Sequence, residues 1–190
     1  MPGNPEMPMR RLFSLAATLA LIVPTAASAE LAAGAKAPGF TARGAIGGKV
    51  FTLSLANALK KGPVVLYFYP KAFTQGCTLE AHAFAEASGD FRKAGATVIG
   101  MWNDDLPTLQ RFSTEACRDK FAVAAATPAI VKAYDVDLVR DGKSTGLTKR
   151  TSYVIGRDGR VRFVHSDMDY KDHVRLTLNA VKALKGKPKG

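Results

Sequence analysis

Apolar residues along this chain alternate between short uncharged runs and helically spaced stripes, and each change of pattern marks an element. Val64 to Tyr69 is a continuous β-branched and aromatic run without charge, as in a strand buried on both faces, and Pro70 ends it. From Cys77 the spacing turns helical. Cys77, Ala81, Phe84 and Phe91 share one face, and Gly95 offers a C-terminal stop. Ala96 to Met101 reads as a second buried strand, Leu106 to Ala116 as a helix, and Phe121 to Ala124 as a short strand. Pro128 can start a helix that runs to about Tyr134. Thr151 to Ile155 and Arg160 to Val164 flank Gly156 to Gly159, whose Asp158-Gly159 step signals a hairpin turn. A closing amphipathic helix, Tyr170 to Leu184, carries Val174, Leu178, Val181 and Leu184.

Before the first buried run, Glu30 to Arg43 is rich in Ala, Gly and Pro and reads as an extended lead-in. The turn Ala45 to Gly48, a strand Val50 to Leu53 and a helix Leu55 to Lys60 follow, with a break at Gly62-Pro63. No internal repeat is visible. Alternating strands and helices followed by an antiparallel hairpin predict an α/β, thioredoxin-like fold, with a central mixed β-sheet flanked by helices on both faces. At 190 residues and 47% hydrophobic, the chain is long enough for one domain with a real core.

The first residues stand apart. Arg10 and Arg11 precede the apolar run Leu12 to Val23, then Pro24 and Ala27-Ser28-Ala29, which reads as an export signal cleaved before Glu30. The run is shorter than the about 20 residues a membrane span needs, so cleavage is favoured over a stable membrane anchor. Domain boundaries are therefore 1–29 for the signal and 30–190 for the folded domain, with export to the bacterial periplasm. The export route stays open. Arg10-Arg11 with Phe13 is faintly like a twin-arginine signal, and Met7 could start an ordinary one.

Removing residues 1–29 takes away Arg10, Arg11 and Glu6 and turns the net charge of +11 into +10 on the remaining 161 residues. The basic residues are spread along the chain with no aromatic-interleaved patch, so no nucleic-acid partner is expected. Lys182, Lys185, Lys187 and Lys189 form a basic tail expected to fray.

Only Cys77 and Cys117 carry thiols, in a compartment that permits disulfides. A thiol reacts as the thiolate, and the unpaired amides and positive dipole end of a helix's first turn favour that form. Thr74 adds a hydroxyl three residues before Cys77, Pro70 can hold the loop over the sulfur, and Gly76 permits close approach. Taken singly, Cys77 reads equally well as a buried thiol, Thr74 as a helix cap and Arg150 as a surface strand residue.

Pro70, Thr74 and Cys77 together match P-x-x-x-T-x-x-C, and the surrounding "VVLYFYPKAFTQGCTLEA" resembles the peroxiredoxins of the bacterioferritin comigratory, or peroxiredoxin Q, subgroup. "VKAYDV" and "KRTSYVIGRDGRV" extend the likeness through most of Ala35 to Leu184. The resemblance implies a thiol-dependent peroxidase that reduces hydrogen peroxide and organic hydroperoxides through a cysteine sulfenic acid. It implies no cofactor and no metal. Cys77 would be the peroxidatic cysteine, Thr74 would orient the peroxide, Arg150 would be the essential arginine, and Glu80 would hold the arginine in support. An external thiol, from a thioredoxin-like or glutaredoxin-like protein or a small molecule, would return the electrons. A monomer or weak dimer is expected.

The pattern departs from the subgroup where many members carry a resolving cysteine five residues after the first; His82 stands there. Cys117 is the remaining candidate resolver, against a small buried thiol with one-cysteine catalysis or a permanent structural disulfide. A Cys77–Cys117 disulfide requires Cα atoms within about 7 Å and so an unwound start to the helix at Cys77. Trp102-Asn103-Asp104 replaces a small residue common in relatives and bears on access to the site. His82 reads as a partly exposed polar residue, and His165 and His173 receive no role.

Two other functions compete. A thioredoxin-like thiol-disulfide oxidoreductase lacks support here: there is no C-x-x-C, and Lys149-Arg150-Thr151 stands where such proteins place a cis-proline. A redox-silent or metal-carrying module of the same fold would consume no peroxide, and would bind copper or zinc in proportion to protein.

Overall fold

The computed structural model describes Met1 and residues 30–185. Apart from Met1, the expected export signal over 1–29 lies outside the described residues, as do Lys187 and Lys189. In chain order the elements are β1 (Thr41–Ile46), β2 (Lys49–Ser54), α1 (Leu55–Lys61), β3 (Val64–Phe68), α2 (Gln75–Lys93), β4 (Thr97–Trp102), α3 (Leu106–Glu115), β5 (Ala122–Ala125), α4 (Pro128–Ala133), β6 (Asp137–Arg140), β7 (Lys143–Thr148), β8 (Thr151–Ile155), β9 (Val161–Ser166) and α5 (His173–Lys185).

Seven strands form one mixed sheet in the order β2-β1-β5-β4-β3-β8-β9, and β6 and β7 make a separate hairpin. β3, β4 and β5 run parallel at the centre, and β8 and β9 add antiparallel to β3. Every residue of β3 and β8 is buried, as expected of strands covered on both faces.

The two-residue period of β3 sorts its side chains between two cores. Val65, Tyr67 and Tyr69 join Phe84 and Phe91 of α2, Phe112 of α3 and Val181 of α5 on one face. Val64, Leu66 and Phe68 join Leu55 and Leu59 of α1, Ile130 of α4 and Tyr153 of β8 on the other. The expected thioredoxin-like sandwich is thus formed, with α2, α3 and α5 on the face that carries Cys77.

Helix starts follow ordinary capping. Ser54, Asp105 and Thr127 accept bonds from the amides of Asn57, Thr108 and Ile130. The strand β1 replaces part of the expected lead-in. Its Ala-Arg-Gly-Ala core lacks β-branched residues, yet its backbone fits between β2 and β5, where a Cβ on Gly44 would lie 2.4 Å from the Val123 carbonyl oxygen. The hairpin β6–β7 arises in a largely polar stretch whose apolar residues are Leu138, Val139 and Leu147. Asp141 and Gly142, both at positive φ, turn it. At the chain's end Lys182 and Lys185 belong to α5 rather than to a frayed tail, and Lys185 Nζ donates to the Lys93 carbonyl of α2 at 2.9 Å.

Candidate active site

β3 runs directly into the loop that carries Pro70 and Thr74, and α2 begins at Gln75, which puts Cys77 in its opening turn. The loop is tied from several sides. Tyr69 N donates to Met101 O at 3.3 Å, Thr148 Oγ1 donates to Tyr69 O at 2.9 Å, and Ala72 N donates to Asp104 Oδ2 at 3.1 Å. The Trp102-Asn103-Asp104 segment therefore braces the cysteine loop from β4. Burial raises the Asp104 carboxyl, and the bond from Ala72 works against that rise.

Phe73 holds the left-handed backbone region at φ 61, unusual for an aromatic residue. Its ring packs edge-on against Phe112 at 5.2 Å, with the Arg111 guanidinium 5.0 Å over it. Thr74 makes no side-chain cap to α2; its hydroxyl donates instead to Lys71 O at 3.0 Å and stays at the exposed rim. Its role as a plain cap is thereby removed. Pro70 is buried beside it.

Arg150 approaches from the start of β8. Alternation along that strand turns Arg150, Ser152 and Val154 toward the α2–α5 layer. The guanidinium uses each nitrogen separately: Nη2 donates to Cys77 Sγ at 3.5 Å, Nη1 donates to Glu80 Oε2, and Nε donates to Met168 O at 3.0 Å. Gly76 leaves room for this side chain, because a Cβ there would sit 3.4 Å from Arg150 Nη2. The close approach expected at Gly76 is thus made by the guanidinium.

Cys77 is 2% exposed, Arg150 5% and Glu80 fully buried, so their charges interact in a dry environment. Burial works against the Arg150 charge, but Glu80 and Cys77 outweigh it and the guanidinium holds its proton more tightly than usual. Burial pushes the Glu80 carboxyl up to about 8, with Arg150 opposing the rise.

Two residues given no role, or not named, on sequence grounds complete the cluster. His173 at the start of α5 is wholly buried; its Nδ1 lies 2.8 Å from Ser152 Oγ and 3.8 Å from Glu80 Oε1, and its Nε2 lies 2.9 Å from Asp167 O. Only the alternation that puts Ser152 on Arg150's side was available as a signal.

Cys117 follows α3 and is wholly buried in the same core cluster as Cys77. Both thiols are free, and burial pushes that of Cys117 well up. His82 is half-buried, as expected. Among the described residues no three His, Cys, Asp or Glu side chains converge as a metal site, and no helix is long and apolar enough to cross a membrane.

The AhpC/TSA family model matches residues 33–164. Among curated relatives, the rice chloroplastic peroxiredoxin Q (Oryza sativa subsp. japonica) is 31% identical over 82% of this chain and 69% of its own length. Escherichia coli peroxiredoxin Bcp is 29% identical over 63% and 78%. Among solved structures, peroxidoxin BcpB from Mycobacterium tuberculosis aligns with a TM-score of 0.72 at 28% identity, covering 81% of this chain and 98% of that one. Peroxiredoxin Q from Xanthomonas campestris aligns at 0.64 and 26%, covering 75% and 90%.

Proposed function

This chain belongs to the AhpC/TSA family and within it to the peroxiredoxins of the Q and Bcp type, a thiol-dependent peroxidase, and on that premise we propose that Cys77 is the sulfur that attacks the peroxide. One contact carries the assignment: the buried Arg150 guanidinium reaches Cys77 Sγ with one nitrogen while Glu80 and the Met168 carbonyl hold the others.

The thiolate is the attacking form. It displaces one oxygen of the O–O bond, sulfur is oxidised to sulfenic acid, and the other oxygen leaves with a proton as water or alcohol. Arg150, fixed before substrate arrives, offers its charge to the thiolate and then to the oxygen on which negative charge accumulates. Thr74, exposed and free of a capping bond, orients the peroxide at the rim, and Pro70 covers the sulfur from the strand side. Glu80 supports the guanidinium.

Cys117 closes the cycle by attacking the sulfenic acid, forming a disulfide and releasing water. Because both thiols are buried, α2's first turn must open for this. Its lack of a side-chain cap and the left-handed Phe73 just before it favour that opening. A thioredoxin-like or glutaredoxin-like protein, or a small thiol, then reduces the disulfide by exchange. The protein works in the periplasm after loss of residues 1–29, as a monomer or weak dimer.

Peptide mass spectrometry after one equivalent of hydrogen peroxide tests the cycle. A Cys77–Cys117 linked peptide is the expected product. Persistent sulfenic or sulfinic acid on Cys77, with Cys117 reduced, would replace the two-cysteine cycle by a one-cysteine one.

A further inference from the structure

One carboxylate oxygen behind the thiol site has no hydrogen-bond partner. Glu80 Oε2 receives Arg150 Nη1, but Oε1 is buried and unpaired. An ionised carboxylate normally gathers donors at both oxygens, and an orphan one in a dry interior is costly. Facing it at 3.8 Å is His173 Nδ1, on a side chain that is itself wholly buried.

The protonation of that imidazole follows from its neighbours. Asp167 O is a carbonyl and only accepts, so His173 Nε2, 2.9 Å away, carries a hydrogen. A neutral ring then leaves Nδ1 bare. Ser152 Oγ, 2.8 Å from Nδ1, can donate to the bare nitrogen or accept from a protonated one. As they stand, Glu80 Oε1 and His173 Nδ1 are two acceptors facing each other without a bond. One proton on either atom turns that repulsion into attraction, and Ser152 serves both arrangements.

We propose that Glu80 and His173 form a proton-holding pair, loaded while Cys77 is a thiolate and emptied when the sulfur becomes a neutral sulfenic acid. The inference rests on the peroxidase reading of Cys77. With Cys77 a thiolate and Glu80 ionised, Arg150 faces two buried negative charges; a proton on the pair restores neutrality. Once the sulfur is neutral, Arg150 and an ionised Glu80 balance without it.

The groups packed around the pair come from several elements. α2 supplies Cys77, β3 and the residue after it supply Tyr67 and Tyr69, the residue before β8 is Arg150, and β9 supplies His165, whose ring centroid lies 4.5 Å from that of His173. Asp167 follows β9. Burial keeps both tyrosines neutral. Burial also lowers His173 to about 4, with His165 and Arg150 adding to the effect, whereas it raises Glu80 to about 8. Glu80 Oε1, unpaired and 3.8 Å from His173 Nδ1, is therefore the atom of the pair that takes the proton.

The oxidation step then balances within the protein. The thiolate, the hydrogen peroxide and the proton on the pair become sulfenic acid, water and an empty pair: the O–O bond breaks, an S–O bond forms, sulfur loses two electrons and the peroxide gains them. The leaving hydroxide takes its proton through solvent, and the pair returns one to solvent, so the medium loses none. Without a loaded pair, the same step removes one proton from the medium for each sulfur oxidised.

A stopped-flow experiment measures this directly. Reduced full-length protein in weak buffer near neutral pH is mixed with one equivalent of hydrogen peroxide, while ultraviolet thiolate absorbance follows Cys77 and a pH-indicator dye follows the medium. The wild type is expected to lose its thiolate absorbance with close to no proton taken up. His173→Gln, which offers Glu80 an amide donor but no titratable site, is expected to take up close to one proton per thiolate lost. Uptake of one proton by the wild type, absence of the thiolate absorbance in the reduced wild type, or a His173→Gln variant indistinguishable from wild type would each overturn the proposal. The wild-type arm decides even where the variant fails to fold. Loss of the peroxidase reading looks different, since the thiolate absorbance would then survive the peroxide.

Discussion

Replacing Arg150 by Met is expected to slow oxidation of Cys77 by hydrogen peroxide by about 10²–10³-fold, the scale on which removing one preorganised donor from a developing oxyanion acts. Three geometric facts set this expectation. The guanidinium is fixed by Glu80 and Met168 O before any substrate arrives, it sits in a dry site, and it is the donor to Cys77 Sγ. Arg150→Lys should recover only a small part of the rate. A single ammonium cannot present a planar fork to the sulfur, the carboxylate and the carbonyl at once. Trp102, the single tryptophan, borders the loop-bracing Asp104 and gives a fluorescence signal for stopped-flow measurement. Rates within a few fold of wild type in both variants would remove Arg150 from the chemistry.

The largest stability effect is expected at Phe84. Its ring is fully buried, stacks on Tyr67 with centroids 4.4 Å apart, and meets Phe91 at 5.8 Å and Phe121 at 6.2 Å. Phe84→Ala removes the side chain that joins α2 to β3 and to the chain entering β5, and should cost about 3–5 kcal/mol in denaturant unfolding. Phe84 lies two turns after Cys77 on the same face, so the lost contact also loosens the helix that aims the sulfur. Peroxide reactivity should therefore fall in a variant that is still folded at low temperature. A loss below about 1 kcal/mol would mean that the site collapses around the missing ring, contrary to the packing seen.

Buried elements were legible in the sequence because burial on two faces writes an uncharged apolar run. β3 ends at Phe68, one residue short of the apolar run, and α2 starts at Gln75, two residues before its apolar face begins at Cys77. β1 was not legible, because its strand character comes from the neighbours β2 and β5 rather than from its own Ala and Gly residues. The hairpin β6–β7 is largely exposed and offers no alternation, although its Asp141-Gly142 step was a usable turn signal.

Within the site, Cys77, Thr74, Pro70, Arg150 and Glu80 stand out through an ordered motif, and four of them lie in one loop and the first two turns of the helix that follows. His173 is different. It reaches the cluster because α5 packs across α2 and β8, a tertiary relation with no spacing in the chain to announce it. Ser152 could have been suspected from its position two residues after Arg150.

If one sulfur, Cys77, performs the reduction, hydrogen peroxide consumption in the presence of thiol reductant separates wild type from Cys77→Ser. Rapid turnover is expected of the wild type and none above the protein-free rate of the variant; consumption by Cys77→Ser at the wild-type rate would remove Cys77 from the chemistry.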